Sequence, residues 1–166
     1  KLLADAYWQR GVVGRKQGVL DDAIADLKRA IELKPSRIDA YAALAECYED
    51  KNDTAQAFAN WQKAIAADAT KPAWRYRFGK LLFERNNMGE ASKHLLFAAD
   101  EGEKAEPRPG WLASAEFLAG EVLKKSGKKA EAIERYKKFM EIAPTNSPER
   151  KEATQALTEL GVPPKR

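Results

Sequence analysis

Apolar residues recur along this chain at intervals of three and four, with charged and polar residues filling the gaps. Between Ile38 and Lys71 two such patterns stand back to back. The first carries Tyr41, Leu44, Ala45 and Tyr48, and the second carries Ala57, Trp61, Ala64 and Ile65. Lys51-Asn52-Asp53 divides them. Spacing of this kind gathers apolar side chains into a stripe on one face of a helix, so the stretch predicts two amphipathic helices joined by a short polar turn. Similar turns stand at Lys16-Gln17-Gly18, Asn86-Asn87 and Ser126-Gly127. No run of β-branched residues suggests a sheet, and the predicted class is all-α.

The pattern repeats. Ala23, Ala57, Ala91 and Ala132 mark one position in four successive units, with gaps of 34, 34 and 41 residues. Upstream of each marker stands a small residue: Gly11, Ala45, Gly79, Gly120. Four residues downstream stands a large one: Leu27, Trp61, Leu95, Tyr136. Three further on come Ala30, Ala64, Ala98 and Phe139. The small positions let paired helices approach closely, and the large residue fills the neighbouring hollow. One pair cannot bury its stripe alone, so pairs stack on one another.

A 34-residue period with a small residue, then A-x3-large, then Pro35 and Pro144 closing the first and fourth units, resembles the tetratricopeptide repeat family. The resemblance covers roughly residues 4–146. Gly14 stands where the family has Tyr, Arg75 and Glu116 where it has a large apolar residue, and Ala69 where the second unit would close on Pro. The resemblance implies a right-handed superhelical solenoid. The expected organisation is one domain over 1–166, with repeats at about 4–37, 38–71, 72–105 and 113–146. Seven extra residues fall within Asp100–Trp111. They are assigned to an insertion at about 106–112 that lengthens the end of one helix and the start of the next, with a kink or loop at Pro107–Pro109. Ser147-Pro148-Glu149 reads as a helix start and Gly161 as its stop, with Pro163-Pro164 beyond. Its thin apolar face (Ala153, Ala156, Leu157, Leu160) predicts a capping helix over about 147–161.

Composition changes this picture little. Of 166 residues 44% are hydrophobic and 33% charged, and the net charge of +4 forms no block that would recruit nucleic acid. No apolar run approaches the ~20 residues that span a bilayer, so direct membrane insertion is not expected. The single Cys47 allows no internal disulfide and leaves the redox compartment open. The chain opens on Lys1 rather than Met, as a piece of a longer protein would, and the compartment is left open with a slight lean to the cytoplasm.

Catalytic chemistry finds no foothold. His94 is the only histidine and is expected as a solvated surface residue. No second His or Cys lies at ligand spacing, and no phosphate-binding glycine loop is present, so neither enzyme activity, metal nor cofactor is expected. In the family, the first helix of each pair lines a concave groove that binds peptides. Carried over residue by residue, the expected groove is Trp8, Val12, Asp39, Ala42, Glu46, Glu49, Tyr76, Arg77, Lys80, Phe83, Phe117 and Glu121. Trp8, Tyr76 and Phe117 occupy equivalent positions around Ala42 and Ala43, as an apolar pocket would require. The acidic second unit (Asp39, Glu46, Glu49, Asp50) favours a protein or peptide segment that is apolar with a basic residue. The family's carboxylate clamp is not reproduced, since only Arg77 matches it. The expected function is a protein-interaction scaffold or adaptor. A self-association module forming a homo-oligomer is one alternative, and an arm of a larger enzyme or envelope-assembly protein is another.

Overall fold

The computed structural model describes residues 2–163. Among them lie nine helices and no strand: α1 (Leu2–Lys16), α2 (Leu20–Leu33), α3 (Ile38–Asp50), α4 (Thr54–Ala67), α5 (Pro72–Glu84), α6 (Met88–Lys104), α7 (Leu112–Lys125), α8 (Lys129–Ile142) and α9 (Glu149–Glu159). The expected Pro164 lies outside the described residues. The fold is all-α, built of tandem helix–turn–helix pairs. The chain divides into two compact units, Lys1–Trp74 and Arg75–Arg166.

Each turn is closed by one residue in the left-handed region. Gly18, Asn52, Asn86 and Gly127 have φ of 79°, 58°, 60° and 75°. Glycine reaches this region freely and asparagine more readily than other residues with a side chain, so the turn chemistry fixes where each first helix stops. Two of the second helices are then capped from the side chain. Asp53 accepts from the Gln56 N–H and Asn87 from the Glu90 N–H.

In the first unit α1 pairs with α2 and α3 with α4, and α3 packs against α2. The approach at Gly11 is close: a Cβ there would lie 2.7 Å from Leu27 Cγ. Leu27, Ala45, Ala57, Trp61 and Cys47 are fully buried. Burial pushes the Cys47 thiol up to about 11, which makes it an inert core residue.

In the second unit α5 pairs with α6 and α7 with α8. A Cβ on Gly79 would lie 2.9 Å from Leu95 Cγ, and one on Gly120 2.8 Å from the Tyr136 ring. The insertion lengthens one helix only. α6 runs for 17 residues against 14 in α2, α4 and α8, while α7 starts at Leu112 after a loop over 105–111. The reason is at Gly102, where a Cβ would lie 2.8 Å from Leu112 Cδ1 and 3.1 Å from the Trp111 ring. The missing side chain lets the extra turn of α6 pack directly on the start of α7.

His94 corrects the sequence reading. Its side chain is half-buried, edge-on to Phe78 with ring centroids 5.0 Å apart, and its Nδ1 is buried. Desolvation, helped by the nearby Arg75 guanidinium, holds it below the ordinary histidine range. The two charged residues at apolar positions are also accounted for. Arg75 lies 3.9 Å over the Phe97 ring and donates to the Lys93 carbonyl. Glu116 is fully buried and faces Arg135 at 3.3 Å.

Candidate protein-interaction surface

The face expected to bind is carried by α1 and α3 in the first unit and by α5 and α7 in the second. In the first unit, Arg15 on α1 reaches α3, where it binds Asp50 at 2.7 Å and also Glu46. Glu49 accepts a 2.9 Å hydrogen bond from the Trp61 indole N–H. The carboxylates read as an acidic lure for a basic partner residue are thus already engaged: Glu46 and Asp50 with Arg15, Glu49 with Trp61. Asp39 remains exposed. Ala42 is 4% exposed and is a packing residue, while Val12 is partly exposed. Trp8 is partly exposed beneath the Arg37 guanidinium, 4.7 Å from its ring, and Arg37 also pairs with Asp5.

The second unit is different in character. Tyr76 stacks on Trp111 with ring centroids 5.4 Å apart and planes 13° from parallel. One turn on, Lys80 is exposed, and Phe83 carries the Lys125 ammonium 4.7 Å over its ring. Arg77 is partly exposed beside them in sequence. α5 and α7 therefore bring together aromatic surface and cations. Phe117 does not join them: it is 8% exposed and packs against Tyr136 and Phe139 at 6.2 and 5.3 Å. Glu121 accepts the Tyr136 hydroxyl at 2.6 Å, and burial together with that carboxylate drives the phenol well above its usual range.

Sequence reasoning places Arg15 and Lys125 on the inward face and Trp111 in the insertion, but assigns none of the three a contact. Arg15 stands 34 residues before Glu49, and this change of sign at equivalent positions was the available signal. Trp111 lies in the insertion, where a lone aromatic among Pro and Gly marks a contact. Lys125 looks like an ordinary helix-end lysine, and nothing along the chain pairs it with Phe83. Among the described residues no group of three or more His, Cys, Asp or Glu is placed to hold a metal. No described helix is long and apolar enough to cross a membrane.

Known proteins place this geometry in a family. The family pattern described as tetratricopeptide repeat matches residues 38–71 and 113–146, and the related TPR repeat pattern matches 14–52. The chain is similar to the type IV pilus assembly protein PilF of Pseudomonas aeruginosa, 32% identical over 97 residues. That match covers 58% of this chain and 38% of the length of PilF. A solved structure of Pseudomonas aeruginosa pilF superposes with a TM-score of 0.71 at 27% identity, covering 95% of this chain and 68% of that one. YrrB, a TPR protein with an unusual peptide-binding site, superposes at 0.80 with 21% identity, over 94% of this chain and 77% of its own. MamA does so at 0.77 with 22% identity, over 96% and 84%. The last two speak to the fold. With the 34-residue period, the left-handed turns and the small-to-large helix crossings, these matches make the chain a member of the tetratricopeptide-repeat family.

Proposed function

We propose that the chain holds a segment of a partner protein against the first-helix face, chiefly on α5 and α7. The fold is that of a protein-interaction scaffold, and repeats of this family are typically scaffolds without catalysis. The observation that carries the finer reading is the Tyr76–Trp111 stack beside Lys80 and the Phe83–Lys125 pair. A rigid aromatic pair offers apolar area at low entropic cost, and such residues tend to dominate interface energy. The flanking ammonium groups add long-range attraction for carboxylates. The segment is therefore apolar with an acidic residue near Lys80. This differs from the basic partner residue suggested by the second unit, because Arg15 already engages Glu46 and Asp50.

A peptide display library panned on the protein tests this. Enriched peptides should be apolar and acidic. Tyr76→Ala should weaken them by about 1–3 kcal/mol, mainly through faster dissociation. Lys80→Glu should slow association and reduce its salt dependence. The exposed Lys93→Ala should leave binding unchanged. Retention by Tyr76→Ala with loss by Lys93→Ala would move the site to the opposite face.

The similarity to PilF supports a second reading, in which the chain serves as a holder of subunits in an envelope-assembly process. Under it, the enriched peptides match segments of exported subunits.

A further inference from the structure

The last described helix has the geometry of a first helix. Gly161 has φ 93° and stands 34 residues after Gly127. The N–H of Val162 donates to the carbonyl of Leu157, as Val19 does to Gly14, Asp53 to Tyr48, Asn87 to Leu82 and Lys128 to Leu123. The Lys124–Glu159 pair spans 35 residues, as Arg15–Asp50 does. By turn and by register, α9 is the first helix of a fifth unit.

In the four complete units the second helix covers this face of the first. Beside α9 a groove of about 550 Å³ opens against α8, with Met140, Leu157 and Val162 among its lining. Thr154, 34 residues after Gly120, lines it. At Gly11, Gly79 and Gly120 even a Cβ would lie within 2.9 Å of Leu27, Leu95 or Tyr136. Thr154 brings a β-branched side chain to that crossing. Its hydroxyl is tied back to the Arg150 carbonyl at 2.7 Å. A helix placed here in the manner of α2, α6 or α8 would drive its large residue into Thr154.

The rim adds charge. Glu141 stands 41 residues after Asp100, and Asp100 holds Arg135 of the following second helix at 2.6 Å. In the internal register the covering helix does not begin at Pro163. Internal second helices begin two residues after the left-handed residue, which would make Pro163 the first helical position. A following proline, Pro164 in the sequence, disfavours the helical conformation at Pro163, and Pro163 is not helical.

We infer that the α8–α9 groove binds, in trans, an amphipathic helix of a partner protein. Its central contact residue is glycine, alanine or serine, and a basic residue lies over Glu141. The size pattern of the internal crossings is reversed: the large group is on α9 and the hollow is on the partner.

The probe is a stapled, fluorescein-labelled peptide of α8, Lys129–Ile142, which carries Arg135 at the position that meets Glu141. It is made with Tyr136 kept and as Tyr136→Ala, and each is titrated into the whole protein by anisotropy. The Tyr136→Ala peptide should bind roughly tenfold tighter than the Tyr peptide, the size of a single overpacked contact. Against Thr154→Gly protein the order should reverse. Thr154→Ala, which favours the helix, should narrow the difference. Circular dichroism confirms that α9 is retained. Glu141→Lys should weaken the Tyr136→Ala peptide, and Tyr76→Ala should leave it unchanged, which separates this groove from the face on α5 and α7. Failure of both peptides to bind, or an order unaffected by Thr154→Gly and Thr154→Ala, overturns the inference.

Discussion

Glu116 is a fully buried carboxylate on α7 at a position where the repeat normally buries an apolar side chain. Burial pushes its carboxyl up, and the Arg135 guanidinium pulls it only part of the way back. A carboxyl raised in the folded state favours folding most when protonated. Its contribution is complete below the ordinary 4.5 and is lost as pH rises through the raised value. Arg135 retains Asp100 at 2.6 Å if Glu116 loses its charge. Glu116→Gln should therefore melt like the parent at pH 4 and at a higher temperature at pH 7, with less loss of stability in between. A lower melting temperature for the variant at pH 7 would mean that the Arg135 pair outweighs the cost of burial. His94 works in the opposite direction. Its pKa is depressed, so it contributes stability above 6.5 that is lost as pH falls through the lowered value. His94→Gln should remove that part of the acid sensitivity, which melts between pH 7 and pH 5 would register.

Between helices, the close crossings decide which substitutions survive. Gly79→Ala gains up to about 1 kcal/mol of intrinsic helix propensity. It also sets a Cβ 2.9 Å from Cγ of the fully buried Leu95 and 3.1 Å from His94 Cβ. Overpacking of this kind costs about 1–3 kcal/mol, so the variant should melt earlier. Gly89→Ala on α6 meets nothing within 4 Å and should melt slightly later. The same scale shows what was legible in the sequence. Helix number and order were readable, because the apolar spacing and the Gly and Asn turns act locally. Packing across pairs was not. Phe117 holds the same repeat position as Trp8 and Tyr76, yet α8 brings Tyr136 and Phe139 against it. Equivalent position fixes a direction on the helix, and the neighbours fix exposure. Glu46 and Asp50 read as free acids because Arg15 stands 31 and 35 residues away, a distance that only the register of the stack brings within reach. His94 read as solvated because its polarity was visible along the chain and the Phe78 ring beside it was not.

For the molecule as a whole, α9 is the element whose loss should be felt most simply. Arg150 donates to the Met140 and Ala143 carbonyls at 3.0 and 2.9 Å, closing the end of α8. Ala153 and Ala156 are buried, and Glu159 holds Lys124 at 2.5 Å. Deleting residues 147–166 uncovers that surface, and the truncated chain should melt earlier and self-associate. Thermal denaturation with light scattering checks both. An unchanged, monomeric melt would show that α9 covers nothing of consequence.

The left-handed turn residues fall at 18, 52, 86, 127 and 161, three intervals of 34 and one of 41. The longer interval contains the extended α6 and the 105–111 loop, and the count resumes unchanged beyond it. In a stack where each pair leans only on its neighbours, a change of length is absorbed where it occurs. The seams at these turns are therefore natural cut-and-join points. A stretch of DNA encoding one period can be duplicated, lost or exchanged there, and every other pair keeps the contacts it already had. The 41-residue interval has the form of one such edit, retained with its own local packing at Gly102.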